Sequence, residues 1–215
     1  DLPTQSSYGW NARDAVHQDV QAWLRDGLMD LIFPMMYFDG KHFYPFAVNW
    51  KENSYGKPVV PGLGIYFLSE KEKDWPLNTI RRQLNFLRQQ DLGGQAYFRS
   101  KFLTDNTKGI YDFVAHHFYK QQALLPAMVW ADKSIPASPK LHLSQEGHTL
   151  HLNWEKVDDE TPIHYNIYRI GKNDTLLLAQ RLHTTSFSYT PALPYLLYEG
   201  YAVTAVDAYG NESPK

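Results

Sequence analysis

The chain has 215 residues, of which 43% are hydrophobic and 20% are charged, and its formal net charge is −2. This composition excludes general disorder, and the lack of a basic excess argues against nucleic-acid binding. The absence of cysteine excludes disulfides, thiolate catalysis and cysteine-ligated metal centres. No apolar run approaches the ~20 residues that a membrane-spanning helix needs, so no transmembrane segment is predicted.

Aromatic residues are unusually frequent, with 6 Trp, 15 Tyr and 11 Phe making up 15% of the chain. Two interpretations follow from this number. Flat aromatic faces are suited to stacking on sugar rings, but large aromatic side chains also fill protein cores and strands. Composition alone leaves both open.

The chain starts without the features of a secretory leader. Residues 1–10 contain no basic stretch followed by an apolar one, so no signal peptide is predicted there. Both ends have the character of interrupted segments, and we expect the chain to be part of a longer protein. Asn11 is placed to cap a helix with apolar residues at positions 16, 20, 23 and 24, and Gly27 is placed to end it.

Three strands with crossover helices are predicted in the first 120 residues. The apolar runs 29–38, 58–66 and 95–99 are typical of parallel strands buried on both faces. Helices are predicted after Pro76, where residues 77, 80, 84 and 87 share one face, and after Gly109. An eight-stranded (β/α)8 barrel needs about 250 residues. The segment is therefore either a complete small α/β domain or the last part of a TIM-type barrel, with about three βα units.

A proline-containing stretch at residues 132–139 predicts a linker. Beyond it, apolar residues alternate with polar ones in short runs separated by turns, which predicts a β-sandwich. The sequence therefore predicts an α/β domain over residues 1–131 and an all-β domain over residues 140–215. In the second domain, Trp154 and Tyr201 are expected in the core, and His142, His148 and His151 at or near the surface.

Ligands of parallel α/β folds bind beyond the carboxyl ends of the strands. The predicted strand ends present Tyr37, Tyr66 and Tyr97. Residues 40–57 form a predicted long loop that adds His42, Tyr44 and Trp50 as candidate substrate-binding residues. The alternative is that this loop packs as a hydrophobic lid without a ligand.

Asp39 is the one carboxylate that directly follows a predicted strand, and it is a candidate catalytic residue because glycoside hydrolysis uses paired carboxyls. The same residues, 38–40, are also an ordinary turn signal. Arg99 is placed either to hold a substrate oxygen or to pair with a carboxylate. His116 and His117 are adjacent on a predicted helix and point in different directions, so no metal site is predicted, and no motif predicts another cofactor.

Five ordered stretches of the first domain resemble the C-terminal part of a bacterial (β/α)8 barrel family called glycoside-hydrolase-like family ten. The stretches are residues 19–30, 33–37, 61–66, 94–99 and 125–130. The resemblance implies the last three strands of a barrel and an activity on glycans, with peptide-free bacterial cell-wall polysaccharide as the leading candidate. It also implies a secreted or cell-envelope protein, either periplasmic or an outer-membrane lipoprotein.

The chain departs from that family in one important respect. The family's acidic motif, an Asp-Asp pair followed by aromatic residues near the fourth strand, has no counterpart in this sequence. Its catalytic acids therefore cannot be assigned to residues here. At the position where relatives often carry Trp after the equivalent of Tyr37, this chain has Phe38 and Asp39.

The second domain resembles a fibronectin type III domain. The matching stretches are residues 152–154, 164–169 and 201–213, and the last edge strand of such a domain would begin after Ser213. Together the two resemblances predict a fragment of a glycoside hydrolase that is inactive alone. The missing half of the barrel, or self-association, would cover its open sheet. The alternatives are a noncatalytic carbohydrate-binding or adhesion protein, or a fragment that only completes a fold.

Overall fold

The structure, a computed structural model, describes residues 11–191 and 200–215. The chain divides into two compact units, Asp1–Lys120 and Gln121–Lys215. The signal-peptide prediction for residues 1–10 lies outside the described residues. Helices and a short parallel sheet form the first unit, and two antiparallel sheets form the second. This mixed α/β and all-β organisation agrees with the sequence prediction. No helix in the described ranges is long and apolar enough to cross a bilayer.

Short helices make up most of the first unit. They are α1 (Ala12–Val16), α2 (Val20–Arg25), α3 (Tyr44–Glu52), α4 (Leu77–Gln89), α5 (Lys101–Thr104) and α6 (Ile110–Phe113), with 3-10 turns at Gly40–His42, Ile65–Leu68 and Thr107–Gly109 and a π-helical turn at Val114–Phe118. Asn11 caps α1 as predicted, since its side chain accepts hydrogen bonds from the backbone N–H groups of Arg13 and Asp14. The single helix predicted from this point is interrupted at His17, whose φ of 56° is left-handed.

Three extended segments of the first unit run parallel, as predicted. Strands β1 (Gly62–Gly64) and β2 (Ala96–Phe98) pair directly. The segment before them joins β1 through isolated parallel bridges, Ile32 to Val59 and Met35 to Gly62. The strands are shorter than the apolar runs that predicted them, because the second run turns into a 3-10 helix at Ile65. These described strands do not close into a barrel.

The prediction that both faces of the first strand are buried is wrong. Ile32 and Met36 on one face are buried, whereas Phe33 is 57% and Met35 75% exposed on the other. Since alternate residues point to opposite faces, one side of this first segment is uncovered. We call this side the open face. Its exposed residues are Leu31, Phe33 and Met35, and the same side of the sheet continues through Tyr37, the buried Gly62 and Gly64, Ala96 and the exposed Phe98.

The core of the first unit lies on the other side of the same sheet. Leu63 of β1 packs there with the apolar stripe of α4, formed by Ile80, Leu84 and Leu87, and all four side chains are essentially inaccessible to solvent. Helix α4 begins after Pro76, so the predicted start, stripe and partner sheet agree with the structure. The apolar stripe of α4 and the core-facing side of β1 therefore pack against each other at one interface.

The prediction of a long loop over residues 40–57 is wrong, because most of these residues are helical. A 3-10 turn at Gly40–His42 leads into α3, which carries Pro45 in its first turn. Phe43 and Ala47, four residues apart, are fully buried, and Phe46 and Trp50 pack beside them. This spacing places the aromatic side chains on one helix face against the core, so the segment is a packed layer rather than an extended lid.

Over its described residues, the second unit consists of two three-stranded antiparallel sheets. The strands are β3 (Leu141–Glu146), β4 (Thr149–Trp154), β5 (His164–Ile170), β6 (Thr175–Leu182), β7 (Ser186–Tyr189) and β8 (Gly200–Val206). The sheet orders are β3-β4-β7 and β6-β5-β8. The predicted alternation is confirmed in the burial of β4, whereas four consecutive residues at the centre of β5 and of β8 are buried. Leu152, Trp154 and Ile167 lie in the core of this unit. Strands β6 and β7 were not predicted individually.

Residues that the sequence assigns to the end of the first domain and to the linker bond to the second unit. The backbone N–H of Met128 donates to the Tyr209 carbonyl at 2.8 Å, and the Ser138 hydroxyl donates to the Pro214 carbonyl at 3.0 Å. The division at Gln121 places Met128 in the second unit, whereas the sequence predicts a first domain that extends to residue 131. Ser213 lies beside β8, since its N–H donates to the Ala205 carbonyl at 2.9 Å and the preceding residue, Glu212, forms an antiparallel bridge with Val206.

Candidate functional site

The parallel register aligns the ends of three extended segments. Leu63 pairs with Tyr97, and Gly64 pairs with Phe98 one residue further. Tyr37 follows Met35 by two residues and so lies on the same face as Gly64 and Phe98. The carboxyl ends of the strands therefore place one aromatic side chain from the first segment next to one from the last.

Two glycines of β1 allow the Tyr37 ring to lie against the sheet. A Cβ added at Gly62 would lie 3.1 Å from Cε1 of Tyr37, and one at Gly64 would lie 3.1 Å from Cβ of Tyr37. Both distances are tighter than ordinary van der Waals contact. The absence of a side chain at these positions is thus what makes room for the ring.

Tyr37, Tyr66 and Phe98 pack on one another, and we call these three residues the strand-end cluster. The Tyr37 and Phe98 rings are stacked, with centroids 5.2 Å apart and planes at 19°. Tyr66 stands edge-on to both, with its centroid 6.0 Å from that of Tyr37 and 5.7 Å from that of Phe98. These are favourable arrangements of aromatic quadrupoles. Phe98 is 47% exposed, so the cluster holds a partly exposed ring in a fixed orientation.

The two tyrosines of the cluster keep their hydroxyl protons at neutral pH. Burial raises the pKa of Tyr37. Burial also raises the pKa of Tyr66, with smaller contributions from the charge of Glu72 and from Tyr37. Both hydroxyls can therefore donate as well as accept hydrogen bonds. The combination of flat apolar rings with phenolic O–H groups is suited to a ligand that has apolar faces and many hydroxyls.

A second pair of rings continues from the cluster. Phe67 packs on Tyr66 with centroids 4.0 Å apart and on Trp75 with centroids 4.8 Å apart. The Lys73 Nζ lies 3.9 Å from the centroid of Phe67, within the range of a cation–π contact. The loop between Phe67 and Trp75 is also held by the Trp75 N–H, which donates to the Phe67 carbonyl at 2.8 Å. These contacts connect the loop that bears Glu72 to the residue after Tyr66.

Tyr97, a predicted substrate-binding residue, lies on the opposite side of the sheet from the cluster. It shares its side with Leu63 and packs against the core. Its hydroxyl accepts a hydrogen bond from Nε2 of Gln95 at 3.1 Å, and burial raises its pKa. Gln95 also donates to the hydroxyl of Tyr119, so these three residues join the last helix of the unit to the sheet.

Three predicted residues lie on or next to α3, away from the cluster. Trp50 packs against the small core of Leu24, Ile32 and Val59. Tyr44 stands edge-on to Phe43 and Phe86 at 5.3 and 4.9 Å between centroids, and its pKa is raised by burial and then by the charge of Asp39. His42 is half-buried in the 3-10 turn. The structure does not bring these side chains to the strand-end cluster.

Asp39 is exposed and has a local structural role. Its Oδ1 accepts a hydrogen bond from the Gly40 N–H at 2.7 Å, so it caps the 3-10 turn that leads towards α3. This is the turn interpretation that the sequence left open beside the catalytic one. The catalytic assignment stays a prediction.

Arg99 is exposed, and its guanidinium lies 5.6 Å from the centroid of the Phe102 ring. Within the described part of the chain it makes no ion pair, so the carboxylate partner considered for it is not found there. No group of three or more His, Asp or Glu side chains that could hold a metal ion occurs among the residues the structure describes.

Two residues near the cluster were not predicted. Phe98 was recognised as part of a strand end but not as a site residue, although it is the next residue after Tyr97 in β2. Gln83 of α4 is fully buried, and its Nε2 donates to the Phe38 carbonyl at 2.8 Å. A signal for Gln83 is present in the sequence, because it is a polar residue within the apolar stripe of Ile80, Leu84 and Leu87.

Comparison with known proteins shows a relationship to a glycoside hydrolase. The glycosyl hydrolase YngK of Bacillus subtilis (strain 168) is 30% identical over 234 aligned positions, which cover 99% of this chain and 46% of that protein. The chain thus spans about half the length of this curated relative. No family model matches the chain, and the specific resemblance to family ten stays a prediction.

Two solved structures have partial similarity to the chain. An Fn3-like protein from Clostridium thermocellum shares 25% identity and covers 38% of this chain and 85% of its own, with a TM-score of 0.30. The spore cortex lytic enzyme SleM of Clostridium perfringens shares 12% identity and covers 90% of this chain and 80% of its own, with a TM-score of 0.31. At these scores neither similarity defines the fold of the chain.

Proposed function

We propose that this chain is part of a glycoside hydrolase and that the strand-end cluster binds its glycan substrate. The packing of Tyr37, Tyr66 and Phe98 into one partly exposed aromatic group is the observation that carries the proposal. A pyranose ring presents an apolar face of C–H groups and a rim of hydroxyls, which match the Phe98 face and the tyrosine O–H groups. The relationship to a glycosyl hydrolase supports the same ligand class.

The open face supports a further part of the proposal, that the parallel segments belong to an incomplete TIM-type barrel. Parallel strands are ordinarily covered on both sides, and this face exposes Phe33 and Met35 to solvent. An apolar sheet face of this kind stabilises a protein only when something packs on it. In the longer polypeptide, additional βα units would cover it, and in their absence a second copy of the chain would. The YngK relative is about twice as long as the aligned region, which allows for such units.

We propose that the acid pair needed for hydrolysis is not provided by this chain. A glycoside hydrolase needs two carboxyls, about 5–5.5 Å apart for retention or ~6.5–9.5 Å apart for inversion. Asp39 is engaged in capping a turn through Gly40. The isolated chain is then a noncatalytic glycan-binding fragment. A wholly noncatalytic carbohydrate-binding or adhesion protein is the second candidate, and the capping role of Asp39 is the observation that favours it.

A secreted or cell-envelope location in a bacterium belongs to the same proposal, with peptide-free cell-wall strands as the candidate glycan. Such strands are long polymers of amino sugars outside the cytoplasm. A protein that binds them must reach that compartment. The lack of cysteine is compatible with this location and with others.

Glycan binding and turnover by the purified chain test this proposal together. We expect the chain to bind immobilised peptide-free cell-wall strands and to release no reducing ends from them. The variant D39N should bind as the unaltered chain does, because the capping oxygen is retained and the cluster is untouched. Failure to bind any glycan strand would contradict the binding proposal. Turnover by the unaltered chain that is lost in D39N would contradict the proposal that this chain does not provide the catalytic acids.

A further inference from the structure

Gln83 occupies an unexpected position for a polar side chain. It lies on α4 three residues after Ile80 and four before Leu87, inside the stripe that faces the core, and its exposure is 0%. Burying an amide there is unfavourable unless its polar atoms find partners. A Leu or Met side chain of similar length would continue the apolar stripe without this requirement.

Only one end of the Gln83 amide is satisfied. Its Nε2 donates to the Phe38 carbonyl at 2.8 Å, while its Oε1 is buried and accepts no hydrogen bond from any residue in the described ranges. The orphaned oxygen is a net penalty to folding, since its hydration has been lost without replacement. The residue therefore contributes less to stability than an apolar residue would, and what it provides is a fixed point for Phe38.

Phe38 is the residue between the strand-end cluster and the turn. Its backbone N–H donates to the Met36 carbonyl at 2.9 Å, and its carbonyl is held by Gln83. The chain direction is thereby fixed immediately after Tyr37, whose ring rests on the two glycines of β1. Without the bond from α4, no side chain would hold the Phe38 carbonyl, and the backbone that carries Tyr37 would lose one of the contacts that fix it.

We propose that Gln83 is a positioning residue that holds the strand-end cluster in its glycan-binding arrangement. This inference rests on the proposed function. It assigns to a buried helix residue a role in affinity that does not involve contact with the glycan. Such a role separates affinity from stability, because the polar side chain that orders the site is also a destabilising one.

The variant Q83M tests this inference, with L84M as the matched control at the neighbouring buried position of the same helix. We expect Q83M to unfold at the same or a higher urea concentration than the unaltered chain. Its affinity for peptide-free cell-wall strands should fall at least fivefold, and the NMR signals of the Tyr37 and Phe98 rings should shift. L84M should retain the affinity and these ring signals. Q83L provides a second variant of the same design.

An affinity within twofold of the unaltered chain in folded Q83M or Q83L would overturn the inference, and so would an equal loss in L84M. Loss of the fold in both Gln83 variants would also contradict it, because the hydrogen bond would then be required for stability. If the unaltered chain binds no strand at all, the proposed function itself fails. The ring signals in Q83M still report whether Gln83 orders the cluster, so the two failures are distinguishable.

Discussion

Replacing Phe98 with alanine is expected to lower the affinity of the chain for peptide-free cell-wall strands about tenfold or more, because truncating an aromatic hot-spot residue costs ~2 kcal/mol or more and every ~1.4 kcal/mol is tenfold in affinity. Phe98 is the most exposed ring of the strand-end cluster and stacks on Tyr37 at 5.2 Å. The variant Y66A should have a similar effect, since Tyr66 stands edge-on to both other rings. Titration of each variant against soluble strands measures the change.

A matched control for these substitutions is available in the same unit. Tyr111 is 51% exposed and contacts His116 edge-on, and among the described residues it makes no ring contact with the strand-end cluster. The variant Y111A removes an exposed aromatic ring without affecting the cluster, and it should bind as the unaltered chain does. Equal losses in Y111A and F98A would indicate nonspecific association of aromatic surface with the strands. Unchanged affinity in both F98A and Y66A would remove the cluster from the binding site.

Replacing Trp154 with alanine is expected to destabilise the second unit by about 3–5 kcal/mol, the usual range for removing a large buried aromatic side chain. Trp154 is 5% exposed, and its ring lies 5.3 Å from that of Tyr165. Tyr165 in turn accepts a hydrogen bond from the Val157 N–H at 3.0 Å. The substitution therefore opens a cavity beside a hydrogen-bonded core residue, and urea denaturation monitored by far-UV circular dichroism should show it.

Leu143 provides the control for this second prediction. It lies on β3 opposite Leu152, but it is 52% exposed, so L143A should change stability by less than ~0.5 kcal/mol. We expect glycan binding by W154A to match that of the unaltered chain, because the cluster belongs to the other compact unit. A W154A variant as stable as L143A would contradict the core assignment. Loss of glycan binding in W154A at temperatures where the first unit stays folded would place the binding site elsewhere.

The sequence predicts those parts of the fold in which local patterning decides the structure. Helix α4 follows from its apolar stripe and from the proline at its start. The alternation of β4 follows from period-two burial, whereas the central residues of β5 and β8 are buried on both sides. In α4 and β4 one side of the element contacts the core and the other side is more exposed, so the residue pattern predicts the element.

The helix α3 was missed although its pattern was present. Residues 43, 46, 47 and 50 are apolar at helical spacing, and Pro45 is compatible with a first turn. The density of aromatic residues favoured a binding loop over a packed helix. Apolar side chains at i, i+3, i+4 and i+7 therefore predict a packed helix even when most of them are aromatic.

The composition of the candidate site depended on facts that a single sequence does not provide. Tyr97 and Phe98 are adjacent and both aromatic, and the face that each occupies depends on how β2 pairs with β1. The register sets Phe98 beside Gly64 and Tyr97 beside Leu63, which separates the two rings. The open face is a similar case, because a continuous apolar run indicates burial on both sides without showing which residues supply the cover.

The most direct test is an NMR titration of the isotopically labelled chain with soluble peptide-free cell-wall strands, observing the aromatic and backbone signals. The account predicts saturable changes concentrated at Tyr37, Tyr66 and Phe98, with the signals of Tyr97 and Trp154 unchanged beyond the general broadening of a bound complex. Changes confined to the second unit, or the absence of any change at saturating glycan, would contradict it.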